Sequence, residues 1–227
     1  MQKKSEPKWL FFLVLILISA ALYLVFLYAP KEQTMGDVQR IFYFHVPNAW
    51  VSFLAFAVAF TGSVGFLITK DFKFDRLAAS AAELGFLFTT ITLITGSIWG
   101  RYAWGIWWAW EARLTSYLVL WLIFLSYLML RSYIYEETKR AFLSAVVSIV
   151  GFFDVPIVFF SIRWWRTQHP SPVFAGGEDS GLDPTMKFVF FFCLAAYTIF
   201  FIYILRRRLE LEKAREEVDY LYKLADN

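Results

Sequence analysis

Chemistry in this 227-residue chain collects in two histidines and one tryptophan-dense run. His45 and His169 are its only imidazoles. A neutral imidazole is a good ligand for iron, copper or zinc. Two of them can fill both axial positions of a haem iron. Zinc ordinarily takes four ligands. The single cysteine, Cys193, lies inside an apolar run and Glu111 stands alone among aromatics, so zinc fits poorly. One cysteine also excludes an internal disulfide, a Cys-x-x-Cys redox pair and a Cys-x-x-Cys-His haem attachment site. The chain is therefore neither a c-type cytochrome nor a thiol reductant.

The run Trp99-Gly-Arg-Tyr-Ala-Trp-Gly-Ile-Trp-Trp-Ala-Trp-Glu-Ala-Arg-Leu-Thr-Ser116 holds five of the ten tryptophans: Trp99, Trp104, Trp107, Trp108 and Trp110. Trp104, Trp107, Trp108 and Glu111 follow the spacing i, i+3, i+4, i+7, which places them on one face if the run is helical. Trp108 and Trp110 would then face different ways. Arg101 and Arg113 flank the run. Two readings stand. The indoles form an interfacial belt that anchors helix ends, or they form a platform for a flat, apolar, doubly anionic ligand such as haem. On the second reading Arg101 and Arg113 are candidates for the propionates, because a guanidinium fork matches a carboxylate. On the first they snorkel to the interface or pair with Glu111.

The chain that supports these residues is 59% hydrophobic, 21% aromatic and only 18% charged. Soluble domains are roughly a quarter charged. The apolar excess lies in long runs, which marks an all-α integral membrane protein. Trp9 to Ala29 is long enough for a first span, too long for a secretory signal, and Pro30 ends it. Five more spans are expected at Ala49–Thr69, Glu83–Gly100, Ser116–Leu130, Ala141–Ile162 and Met186–Leu205, the fourth extending a few residues either way. Residues 1–205 read as one six-span bundle. Residues 206–227 read as a charged helical tail that continues the last span. That tail is either a solvated anchor or a docking helix. The Gly-rich stretch 174–184 reads as a mobile turn.

Of 22 Lys and Arg residues, fifteen lie in 1–8, 70–82, 131–140 and the tail, and seven in the alternate segments. The positive-inside rule then places both termini in the cytoplasm. It puts His45, the tryptophan run and His169 together on the outer side. The net charge of +3 gives no sign of a nucleic-acid partner, and membrane lipid is the expected surroundings. Pro47 suits the first turn of the second helix and would fix where His45 points. Trp50, Trp164 and Trp165 add aromatic surface at the histidine level. Glu83 and Asp154 fall within or at the edge of spans. Asp154, beside Pro156, is expected to face the bundle and to bond Ser or Thr neighbours, or else to serve a ligand.

Together Phe44-His-Val-Pro-Asn-Ala-Trp50, Trp99-Gly100, Trp104-Gly-Ile-Trp-Trp-Ala-Trp-Glu-Ala-Arg-Leu-Thr-Ser116, Gly151-Phe-Phe-Asp-Val-Pro-Ile157 and Trp164-Trp165 with His169-Pro170 resemble the CcmC family of bacterial cytochrome c maturation. The resemblance covers about residues 35 to 205. The tryptophan motif alone marks a broader haem-handling superfamily. Glu111 stands where the family usually has Asp, and Asp154 where it often has Asn. The resemblance implies a haem carrier in the bacterial cytoplasmic (inner) membrane that binds haem b non-covalently, with His45 and His169 as axial ligands. Trp99, Trp104, Trp107, Trp108, Trp110 and Glu111 would form the platform and chaperone-docking segment. Trp50, Asp154, Trp164 and Trp165 would border the pocket. It also implies haem delivery on the periplasmic face to the chaperone CcmE, within an ABC-transporter-like assembly with CcmA, CcmB and CcmD. The chain carries no nucleotide motif, so it is expected to be no enzyme, with ATP hydrolysis left to a partner. Competing readings are an electron-transfer cytochrome b, a small-solute transporter, and a structural subunit anchored by its tryptophans. The first usually holds its histidines within facing helices, whereas the loops are their expected place here.

Overall fold

The computed structural model describes residues 8–165, 169 and 182–225. The lysines before residue 8 and the Gly-rich stretch 174–181 lie outside them. The described chain is helical, and its only β pairing is an isolated bridge between Glu32 and Gly36. Six helical units are long and apolar enough to cross a membrane. Helices satisfy their own backbone polar groups, which is what lipid requires. The chain is an all-α multi-pass membrane protein.

The first span is α1, Trp9–Tyr23, extended by a π-helical turn over Leu24–Tyr28. Ala29 then turns extended (ψ 130°), as expected of a residue before proline. Leu10, Val14, Ala21 and Val25 bury one stripe, while Ile16 and Leu27 stay exposed to lipid. A 3₁₀ turn, Asp37–Ile41, runs directly into α2, Phe42–Thr69. The second helix thus starts seven residues before the expected Ala49. Pro47 sits inside it rather than in its first turn. Pro47 has no N–H to offer the Tyr43 carbonyl one turn earlier, and at the neighbouring position Asn48 Nδ2 donates to the Phe44 carbonyl at 2.7 Å.

Lys70, left-handed at φ 59°, ends α2. Asp71 accepts the Lys73 N–H at 2.9 Å and caps α3, Phe72–Trp104; that bond holds the Asp71 carboxyl below its ordinary range. With 33 residues α3 is roughly 50 Å long at 1.5 Å per residue. It begins eleven residues before the expected Glu83, because a helix does not stop where its apolar run stops. Helix α4 spans Ala112–Tyr133. The expected fifth span is two helices, α5 (Glu137–Phe152) and α6 (Asp154–Trp164). Pro156 explains the break, since it cannot donate to the Phe152 carbonyl. Helix α7, Pro184–Ala225, opens on a proline at its first position and runs through residue 206 unbroken.

Helices α2 and α3 form the central antiparallel pair. Small residues let them meet: a Cβ on Gly62 would stand 2.8 Å from the Phe74 carbonyl oxygen, and one on Gly85 2.5 Å from the Phe56 ring. Phe56 stacks on Phe124 of α4 with centroids 3.7 Å apart. Helix α7 packs on α1, α2 and α3.

At the end of the bundle where α3 and α4 meet the extension of α7, charges are paired. Arg131 grips Asp75 with two bonds, at 2.6 and 2.9 Å. Arg208 bonds Glu83 at 2.7 Å and also Glu212, while Arg76 bonds Glu216. Glu83 therefore has a partner in the chain besides water, and the tail past residue 206 is tied to α3 at its base.

Candidate functional site

The opposite end holds a small, partly open cavity. His45 and Ala49 of α2 form one wall. Thr92, Gly96, Trp99 and Trp104 of α3 form another, and Arg113 and Tyr117 of α4 a third. Leu93, Ser97, Trp108, Leu114 and His169 complete the lining. Both histidines of the chain therefore border one cavity, although 124 positions separate them in the numbering.

His45 is not in a loop. It is the fourth residue of α2 and faces α3, where its Nδ1 lies 3.1 Å from the Thr95 hydroxyl. Placement within a helix removes the sequence argument that set the chain apart from helix-borne cytochrome ligands. His169 follows α6, with its ring centroid 6.4 Å from both Trp99 and Trp104. Those two indoles meet edge to face at 5.1 Å. Aromatic faces and edges thus surround the second imidazole.

The tryptophan run is not one helix. Gly105 adopts φ 77°, a conformation that glycine reaches without strain, and α3 stops there. Trp99 and Trp104 belong to α3. Trp107, Trp108, Trp110 and Glu111 lie on the irregular strip before α4. Ser97 Oγ donates to the Trp107 carbonyl at 2.6 Å and ties the strip back to α3. The helical spacing of these residues therefore does not decide their directions. Trp104 and Trp108 line the cavity, whereas Trp107 (59% exposed) and Trp110 (78%) do not. Trp108 and Trp110 still meet edge to face at 5.7 Å.

The two flanking arginines also differ. Arg101 donates to the Gly105 carbonyl, closing the end of α3 from outside the cavity. Arg113 lines the cavity, and its guanidinium makes no hydrogen bond or ion pair among the described residues. The Trp108 indole N–H is buried with no acceptor among the described residues. Buried donors are normally satisfied, so two unsatisfied donors facing a cavity ask for an anionic or accepting ligand. Below them, Ser52 Oγ donates to the Ala49 carbonyl at 2.7 Å and meets the Tyr117 hydroxyl at 2.8 Å, so the Tyr117 hydroxyl supplies the proton of the second bond.

Of the other expected pocket residues, Trp50 packs edge to face on Phe159 at 6.1 Å, and Trp164 stacks on Phe160 at 5.4 Å. Trp165 is about half exposed. Glu111 stands at the head of α4. None of the four lines the cavity. Asp154 is buried at the head of α6, but its Oδ2 has no bond to the expected Ser or Thr. Thr92, Thr95, Gly96 and Tyr117 were not singled out from sequence. The only signal for them was a cluster of small and hydroxylic residues interrupting an apolar run. Among the described residues, no three His, Cys, Asp or Glu side chains gather as they would around a bare metal ion.

A family model described as heme exporter protein C matches residues 2–222. A heme exporter protein C of Bradyrhizobium diazoefficiens is 37% identical over 195 residues, covering 86% of this chain and 73% of that protein. A ccmC-like mitochondrial cytochrome c biosynthesis protein of Marchantia polymorpha is 39% identical over 191 residues, covering 82% and 80%. The heme exporter protein C of Escherichia coli K12 is 30% identical over 220 residues, covering 94% and 88%.

Proposed function

The chain belongs to the heme exporter protein C family, and from that premise we propose that it binds haem b non-covalently in the cavity between α2, α3 and α4 and hands it on during cytochrome c maturation. The observation that carries this reading is the convergence of both histidines on a cavity that Arg113 and Trp108 also line, with the Trp108 N–H lacking an acceptor among the described residues. His45 and His169 supply the axial bonds to iron. Trp99, Trp104 and Trp108 contact the porphyrin face and edge. Arg113, which lines the same cavity as Trp108, receives a propionate. Burial in a desolvated cavity strengthens such a charge-assisted bond.

Haem is cargo here, so the site has to release what it binds. Stacking on aromatics contributes only about 0.5–1.5 kcal/mol per pair beyond area burial. The two iron bonds therefore dominate retention, and exchange of one of them is the step that frees haem. The exposed indoles Trp107 and Trp110 stand beside the cavity, where a receiving chaperone of the CcmE kind would dock. CcmA, CcmB and CcmD are the proposed assembly partners, and ATP hydrolysis falls to CcmA. The protein sits in the bacterial inner membrane. From the Lys and Arg distribution the cavity opens to the periplasm and both termini are cytoplasmic. Periplasmic reporter activity from a fusion at residue 135 would reverse that orientation.

Titration of the detergent-purified chain with haem tests the reading. A saturable one-to-one Soret band of a six-coordinate, low-spin haem is expected. Absence of saturable binding would refute it. The placement of His45 in a helix leaves an electron-transfer cytochrome as the second reading; reduction of the bound haem by a quinol at a catalytic rate would favour it.

A further inference from the structure

The Thr95 hydroxyl is placed to decide which nitrogen of His45 carries the proton. Its oxygen lies 2.8 Å from the Ile91 carbonyl and 3.2 Å from the Thr92 carbonyl, on the same helix. A hydroxyl has one proton and two lone pairs. The proton is committed to a backbone carbonyl, so the oxygen meets His45 Nδ1, 3.1 Å away, as an acceptor. Nδ1 must then be the donor. In a neutral imidazole the other nitrogen, Nε2, carries the lone pair.

The neighbouring residue shapes the same contact. A Cβ on Gly96 would stand 2.9 Å from His45 Cε1 and 3.5 Å from Nδ1. The absence of that Cβ lets the ring lie against α3 close enough to reach Thr95. Gly96 lines the cavity beside His45.

We propose that Thr95 and Gly96 are positioning residues that hold His45 in the Nδ1–H tautomer, with its Nε2 lone pair directed to the cavity as the iron ligand. The part of this that concerns iron rests on the haem-binding reading above; the tautomer does not. Outer-shell partners of a metal-ligating histidine fix its ring and raise its basicity, and their loss typically weakens metal affinity roughly 10–100-fold. Thr95→Val keeps the shape of the side chain and removes the acceptor. Thr95→Ser keeps the acceptor.

The test uses the full chain without haem, labelled with ¹⁵N-histidine at neutral pH. Two histidines give two sets of ring signals, and His169→Ala assigns them. The expected result is a neutral His45 with its proton on Nδ1 in the parent, a mixture of tautomers in Thr95→Val, and return of the parent pattern in Thr95→Ser. On haem loading, Thr95→Val should bind about tenfold more weakly, with a raised reduction potential, because a less basic imidazole stabilises ferric iron less; Thr95→Ser should match the parent. A parent His45 protonated on Nε2 overturns the proposal. So does a Thr95→Val protein with parental tautomer and parental potential. If Thr95→Val fails to accumulate, the parent spectrum alone decides the tautomer. A shifted tautomer with an unchanged haem spectrum would instead refute His45 as an iron ligand and leave the tautomer control standing.

Discussion

The two ends of the bundle treat their charged groups in opposite ways. At the end formed by α3, α4 and the extension of α7, Arg131, Arg76 and Arg208 each find a carboxylate of the chain. At the cavity end no carboxylate among the described residues bonds Arg113, which feels Glu111 only through space, and the buried Trp108 N–H has no acceptor among them. Both ends draw on the same helices, so helix geometry is not the cause. Internally matched charge holds elements together and leaves nothing for a ligand. Unmatched donors around a cavity weaken the empty protein slightly and are compensated when a ligand supplies acceptors. On the proposed reading, the contrast separates residues that build the protein from residues that would receive haem.

That separation yields ordered predictions. The largest effect on binding is expected from His45→Ala or His169→Ala, since each removes a direct bond to iron. Haem retained through purification should fall by more than the roughly 100-fold upper range for outer-shell partners. Thermal unfolding of the haem-free protein should change little. Parental haem content in the double variant would remove the histidines from the account.

Arg131→Ala should do the reverse. It leaves Asp75, which is 8% exposed, without its bidentate partner. Breaking a buried pair on one side costs on the order of 3 kcal/mol or more. The melting temperature in detergent should drop, while haem affinity per folded molecule stays at the parental level. A variant with intact stability and weak haem binding would erase the distinction between the ends.

Arg113→Met should weaken haem binding roughly 10- to 150-fold, from loss of a charge-assisted bond worth roughly 1.5–3 kcal/mol. Stability of the haem-free protein should hold or rise, because among the described residues the guanidinium has no hydrogen bond or ion pair to lose. Esterified haem, which lacks free carboxylates, should bind parent and variant alike. A tenfold difference with the ester would move Arg113 away from the propionates.

The smallest effects divide the tryptophans. Trp108→Phe should reduce haem affinity a few-fold, as one neutral hydrogen bond of about 1 kcal/mol is lost. Trp107→Tyr and Trp110→Tyr should leave haem affinity unchanged, because both rings lie outside the cavity. Their effect, if they meet the chaperone, is on transfer to it. Equal affinity losses at Trp107 and Trp108 would count against this division.

Much of this arrangement was legible before the structure. The six spans follow from apolar runs that no soluble fold would tolerate, and the histidines stood out because there are only two. Helix ends were less legible. The polar stretch from Phe72 to Ala82 continues α3 without apolar periodicity, and Pro47 sits inside α2 rather than in its first turn. That same early start of α2 carries His45 from a loop into the bundle. The tryptophan run kept helical spacing, but Gly105 stood inside it and ended the helix. Thr95 and Gly96 were illegible for a simpler reason. Their role depends on a neighbour fifty positions away, and one hydroxyl or one missing methyl leaves no periodic trace.

The central claim is that both histidines reach one iron. Pulsed EPR on ferric haem bound to the ¹⁵N-histidine-labelled chain reads it directly. The account predicts a low-spin signal with two coordinated ¹⁵N imidazole nitrogens, and one remaining in either His45→Ala or His169→Ala. A parental protein with one imidazole nitrogen or none on iron, or a double variant that keeps two, would contradict it.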